Sequence, residues 1–230
     1  MNKIELYFKK RARARRIKRL KNSIAPYLKK DFGVELNYKL WTTKGARFSA
    51  SRRNKIQHEL SSRTLAYLSA YLIIIGLLSA YEIKISGFDY EKYVAFITTS
   101  IAILILVFTH FETSKEYAIK SEKLHQCSLE VGELYNELRM IKTFDTIQNK
   151  EDRISRVSKK YEKILQKYEN HTSIDFDMFT TAKSDYFKLS WFDIKLIKIE
   201  FYILVKLKYH IFMYFPLLFI IYIIIKSLFN

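Results

Sequence analysis

TLAYLSAYLIIIGLLSAY, residues 64–81, runs for 18 residues without a charge. At about 1.5 Å per residue such a helix reaches roughly 27 Å, close to the hydrocarbon thickness of a bilayer. A second charge-free run, YVAFITTSIAILILVFT at 93–109, follows after the eleven residues EIKISGFDYEK. Lipid offers no partners to backbone polar groups, so both runs are helices, about 64–81 and 93–111, and the short loop returns them antiparallel as a hairpin. The alternative, two buried helices of a soluble core, calls for a polar stripe toward water, which neither run has. More than sixty residues precede the first run, which argues against a cleaved signal peptide. Tyr81, Tyr90 and Tyr93 near one pair of helix ends suit an interfacial aromatic belt.

Outside these runs the chain is polar, so the mean hydropathy of -0.10 averages over two different solvents. Five glycines and two prolines leave few turn signals, and no stretch alternates apolar and polar residues at strand spacing. The fold class is therefore an all-α membrane protein. A third apolar run, IFMYFPLLFIIYIII at 211–225, contains Pro216 and is bracketed by Lys206, Lys208 and Lys226. Flanking lysines that snorkel make 209–227 long enough for a third span. The alternative is an interfacial or partner-packed helix, because DYFKLSWFDIKLIKIEFYILVKLK before it mixes aromatics and lysines as membrane-surface helices do.

Charge sets the expected orientation. Residues 1–63 carry nineteen Lys and Arg against four acids, whereas the loop holds Lys84 and Lys92 against Glu82, Asp89 and Glu91. Basic flanks stay on the cytoplasmic side, so the N-terminus and residues 112–208 face the cytoplasm and the C-terminus lies outside. The organisation expected is a basic amphipathic arm at 1–40, a core holding the hairpin at 41–142, a cytoplasmic helical region at 143–208 and the third span at 209–227. In the cytoplasmic part Leu124, Cys127, Val131, Leu134, Leu138 and Ile141 recur at alternating three and four spacing, answered by Ile154, Val157, Tyr161, Ile164 and Tyr168. An antiparallel helical hairpin joins the two seams, either within one chain or as a coiled coil between subunits.

The net charge of +17 sits almost wholly before the first span, where residues 1–63 contribute +15. Ile17, Leu20, Ile24 and Leu28 share one helical face among Lys and Arg, a basic amphipathic pattern that fits anionic lipid or a partner helix. Nucleic acid is the competing ligand, disfavoured by sparse aromatic interleaving. A search for chemistry finds no phosphate-binding loop, dinucleotide fingerprint, HExxH or nucleophile–base pairing, so the reading is a non-enzyme without cofactor. One cysteine excludes an intrachain disulfide, and His125 and Cys127, two apart, point to opposite sides of a helix and cannot chelate one metal. The two hairpin spans hold no Asp, Glu, Lys or Arg, which disfavours coupled transport. Their mild polarity, Ser69 and Gly76 in the first with Thr98, Thr99 and Thr109 in the second, serves close helix packing or lines a pore between several copies, with His110 at its cytoplasmic mouth.

Two flanking stretches carry a family likeness: WTTKGARFSASRRNKIQHELS at 41–61 and ETSKEYAIKSEKLHQCSLEVGELY at 112–135. With an ARFxASRR element at 46–53 and an LHxCxxEV element at 124–131, residues 41–141 resemble the SLATT family. These are bacterial SMODS/SLOG-associating two-transmembrane effectors encoded beside nucleotide-sensing or nucleotide-making partners, one branch with reverse transcriptases. Asn54 stands where an apolar residue is expected. The resemblance implies an effector of antiphage or interbacterial conflict (abortive infection), held inactive until a reverse transcriptase or nucleotidyltransferase sensor encoded nearby reports infection, then assembling into a homo-oligomer that permeabilises the inner membrane. Leu124, His125, Cys127 and Val131 would be the packing that transmits the signal to the hairpin. Arg47, Arg52 and Arg53 would anchor the membrane-proximal turn or bind phosphate, anionic lipid or a neighbouring acidic face. A membrane-tethered nucleic-acid-binding protein or a passive scaffold, neither forming a pore, is the alternative function.

Overall fold

A run of helices, with no strand among the described residues, carries the fold. The structure, a computed structural model, describes residues 31–80, 90–144 and 149–228, together with Ala14. The amphipathic face of the basic arm, Tyr81 and the hairpin loop at 82–89 lie outside the described residues.

The first long helix, α1, spans Phe32–Ala80. It starts where Asp31 Oδ1 accepts the Val34 N–H at 2.9 Å, with Glu35 in the first turn favourably placed on the helix dipole. There follow α2 (Tyr90–Thr113), α3 (Tyr117–Thr143), α4 (Lys150–Lys167), α5 (Ser173–Thr181), the single turn α6 (Ser184–Phe187) and α7 (Trp191–Phe201), then a π-helical turn (Tyr202–Lys206) and α8 (Leu207–Leu228). Three stretches, within Phe32–Leu77, Ala95–Thr143 and Trp191–Leu218, contain helices long and apolar enough to cross a bilayer. The chain is thus an all-α membrane protein with several spans, the expected hairpin helices and the third run among them.

Buried residues of α1 recur at alternating three and four spacing from Arg47 on, Arg47, Ala50, Asn54, Gln57, Ser61, Thr64, Leu68, Tyr71 and Ile75, and half-buried Thr43 joins them to Leu36 and Leu40 in the same register. This is a heptad seam with a polar middle. Two compact units divide the chain, the first formed by 1–55 and 118–202, the second by 56–117 and 203–230.

In the first unit the seam residues Cys127, Val131, Leu134, Leu138 and Ile141 of α3 pack with Leu36 and Leu40 of α1 and Val157 and Tyr161 of α4. Each aliphatic side chain so enclosed contributes about 1.5–3 kcal/mol. Lys160 pairs with Glu137 and Lys167 with Glu130, so the contacts climb α4 as they descend α3 and the two helices run antiparallel. The seams therefore meet within one chain. Glu130 also accepts from the Tyr168 hydroxyl. Burial alone would raise the Glu130 carboxyl, but hydrogen bonds from Tyr168 and Lys167 outweigh it and hold the carboxyl below its ordinary range. A depressed carboxylate stabilises the fold above its unfolded pKa and loses that contribution as pH falls through the folded one. Glu130→Gln should accordingly melt slightly earlier than wild type at neutral pH. The difference should close under acid, as thermal scans across pH would show.

In the second unit α8 contacts both long hairpin helices. The Tyr71 hydroxyl donates to the Met213 carbonyl at 2.8 Å, Tyr67 lies 6.5 Å from Tyr214, and Phe108 meets Phe212 at 5.5 Å and Tyr209 at 6.2 Å. The third apolar helix is thereby packed on the other two, with Tyr209 and Met213 buried.

Candidate functional site

In the first unit, the residues of ARFxASRR and LHxCxxEV face each other. Ala46 and Ala50 are fully buried small residues on α1. Phe48 meets the ring of His125 edge-on at 5.4 Å, and the Ser121 hydroxyl donates to the Ser51 carbonyl at 3.0 Å. Leu124, Cys127 and Val131 turn into the core, whereas His125 stays exposed on the outer side of the contact. The four residues of the expected packing element thus divide into three core side chains and one surface ring. Asn54, where an apolar residue was expected, is buried, and its amide donates to the Ala50 carbonyl of its own helix at 2.8 Å.

Arg47 occupies the middle of this junction and is only 2% exposed. Its Nε and Nη1 have no hydrogen-bond partner among the described residues. Burial pulls the guanidinium below its ordinary pKa, against the opposing influence of Cys127, Tyr161 and Asp175 nearby. A cation enclosed with unfilled donors is an expensive arrangement, tolerated in natural proteins mainly at functional positions. Burial likewise pushes the Cys127 thiol up, despite the neighbouring Arg47, so Cys127 packs as a small hydrophobe. Tyr161 reaches Thr43 at 2.7 Å, closing the junction from α4.

Arg52 is exposed, while Arg53 is engaged by an acidic partner on α5. Its Nε donates to Asp175 Oδ1 at 2.8 Å and its Nη2 to Oδ2 at 3.1 Å. Asp175 Oδ2 also accepts the backbone N–H of Thr172 at 2.9 Å and its hydroxyl at 2.7 Å, so one buried carboxylate fixes the start of α5 and holds α1. Phe179 on the same helix sits where Gly45 of α1 lacks a side chain; a Cβ there would lie 2.1 Å from the ring. The ring is hemmed in by Trp41, Phe176 and Phe187, at 5.1, 6.2 and 5.8 Å. Gly45→Ala gains about 1 kcal/mol of helix propensity but loses more by overpacking, for a net loss of about 1–2 kcal/mol read as a lower unfolding midpoint.

Sequence reasoning missed a second charged centre, in the second unit. Glu112, 8% exposed, follows the second apolar run and receives Lys208 Nζ at 2.9 Å, the Tyr209 hydroxyl at 2.6 Å and Lys115. Lys208 also lies 4.4 Å from the ring of Tyr209. Its one visible signal is that Glu112 is the first acid after the charge-free run and Lys208 the last cation before the next.

The polar residues of the spans do not take part in this chain's own packing to the same degree. Ser69, Gly76, Thr99 and Thr109 are exposed, and a Cβ at Gly76 would meet nothing within 4 Å. Thr98 and Thr99 donate to the Ala95 carbonyl and Thr109 to that of Ile105, so the hydroxyls are satisfied along their own helix. His110 is exposed, 6.2 Å from Phe111. Among the described residues no three His, Cys, Asp or Glu side chains gather as a metal site would require.

No curated protein and no solved structure matches the chain. A family model described as SMODS and SLOG-associating 2TM effector domain family 5 matches residues 29–225, beyond the 41–141 that carry the likeness and into the third apolar helix. With the match extending over most of its length, the chain belongs to this family of two-transmembrane effectors.

Proposed function

We propose that the protein is an effector of a bacterial conflict system that oligomerises in the inner membrane and permeabilises it when a partner sensor is triggered. The observation that carries this reading is the outward set of Ser69, Gly76, Thr99 and Thr109, small or hydroxylated residues on spanning helices that the chain itself leaves exposed. Small residues allow close helix approach, and hydroxyls tolerate either a helix interface or a wet lumen. Assembly of several copies supplies what two or three helices lack, an enclosed path. The excess of basic residues before the first span supports a cytoplasmic N-terminus. The family and the helical fold fit an effector that acts on the membrane without catalysis.

The test is infection of cells that carry the gene with its neighbours. Dye entry and collapse of the membrane potential, abolished by Gly76→Leu at unchanged protein level, support the reading. Intact membranes in infected wild-type cells overturn it. Arg47 gives a separate expected result. Arg47→Met removes a buried cation with unfilled donors, so stability should stay unchanged or rise by about 1 kcal/mol, while the response to infection is lost. Thermal unfolding and dye entry measured on the same variant separate the two effects.

A further inference from the structure

α7 buries Ile197, Glu200 and Phe201 and leaves Trp191, Phe192, Lys195, Lys198 and Ile199 exposed on the other side. Trp191 is 70% and Phe192 61% exposed, although large aromatics are the side chains that gain most from leaving water. Lys195 Nζ stands 4.7 Å from the Trp191 ring. No carboxylate shares the stripe: Asp193 is turned back onto the Ser190 hydroxyl at 2.8 Å in the helix cap, and Glu200 is buried.

Position along the chain adds a second observation. α7 forms the first part of the third candidate stretch, Trp191–Leu218, yet it carries Asp193, Lys195, Lys198 and Glu200, too many charges to lie within hydrocarbon, and the charge-free apolar run follows from Ile211. A helix at such a point meets the headgroup layer, where tryptophan and lysine are the favoured pair: the indole takes the acyl boundary and the ammonium takes phosphate.

We propose that α7 is an interfacial helix whose Trp191–Phe192 edge inserts among anionic phospholipids while Lys195 and Lys198 pair with their headgroups. The occupant is lipid and not a second copy of the chain, because the stripe couples exposed aromatics to lysines that no carboxylate among the described residues pairs with. It also leads directly into a membrane helix.

The experiment uses the full chain reconstituted into phosphatidylcholine–phosphatidylglycerol vesicles, with and without bromine on the upper acyl chain. Trp41 and Trp191 are the two tryptophans, and Trp41 is packed against Phe179, Tyr186 and Phe187, so the difference between wild type and Trp191→Phe isolates Trp191. Quenching of that component by brominated lipid and its protection from acrylamide are expected. The double variant Lys195→Glu, Lys198→Glu should lose the lipid quenching and gain acrylamide access. Quenching by acrylamide alone in wild type overturns the proposal, and so does shielding from both quenchers, which marks a protein partner. Lipid quenching that survives charge reversal overturns the headgroup contact. Circular dichroism of each variant reports that the helices are retained.

Discussion

Asp175→Ala should lower stability by about 3–5 kcal/mol, read as a fall of roughly 10 °C in the unfolding midpoint in detergent. The size of the effect follows from what one carboxylate does. It is wholly buried, it takes both arms of the Arg53 fork, and it closes the N-terminus of α5 by accepting the Thr172 amide and hydroxyl. Truncation leaves a guanidinium with 16% side-chain exposure facing an apolar hole, and it frees the helix start as well. Arg53→Ala should cost less, because Asp175 keeps its two bonds to Thr172. A double-mutant cycle between the two positions should show coupling of about 2 kcal/mol or more; additive losses would mean the fork contributes little.

Glu112→Ala should cost about 2–3 kcal/mol by a different route. The two lysines around Glu112 are more than a third exposed and keep much of their hydration, so the charge–charge part is screened. The larger share comes from Tyr209, whose side chain is fully buried and whose hydroxyl is left without its acceptor. Glu112→Gln should recover part of the loss by offering the phenol a carbonyl. In the Glu112→Ala background Tyr209→Phe should be nearly silent, whereas in wild type it should cost about 1 kcal/mol. Unfolding midpoints of the four variants in one detergent decide this. Equal effects of Tyr209→Phe in both backgrounds would remove the phenol from the account.

How far the sequence reveals this arrangement depends on whether a residue advertises itself locally. The two hairpin helices and the apolar third helix are visible because hydrocarbon admits no charge, and 64–81 and 93–109 contain none. The α3 and α4 seams are visible because their periodic positions are apolar. The seam of α1 is hidden for the opposite reason: Arg47, Asn54, Gln57, Ser61 and Thr64 hold its middle positions, so no hydropathy pattern marks a face that is nonetheless buried. The Thr172–Asp175 capping box is a local feature of the chain. That the same carboxylate grips Arg53 is set by tertiary structure 122 residues away. Glu112 and Lys208 lie 96 residues apart and are joined in the same way. The ARFxASRR and LHxCxxEV elements are legible as a family signature. Their mutual packing, with Arg47 enclosed, is not, because periodicity gives each helix a face without saying which partner it meets.

One contact on α8 carries a consequence for the mechanics of that helix. Pro216 stands within α8 and has no N–H, so the carbonyl one turn earlier, that of Phe212, lacks its usual helical donor. Within lipid such a carbonyl has no water to fall back on. The neighbouring carbonyl, that of Met213, takes its proton from the Tyr71 phenol on α1. The proline therefore leaves the third helix one bond short in a turn that the tyrosine clamps, from the side, to the first span.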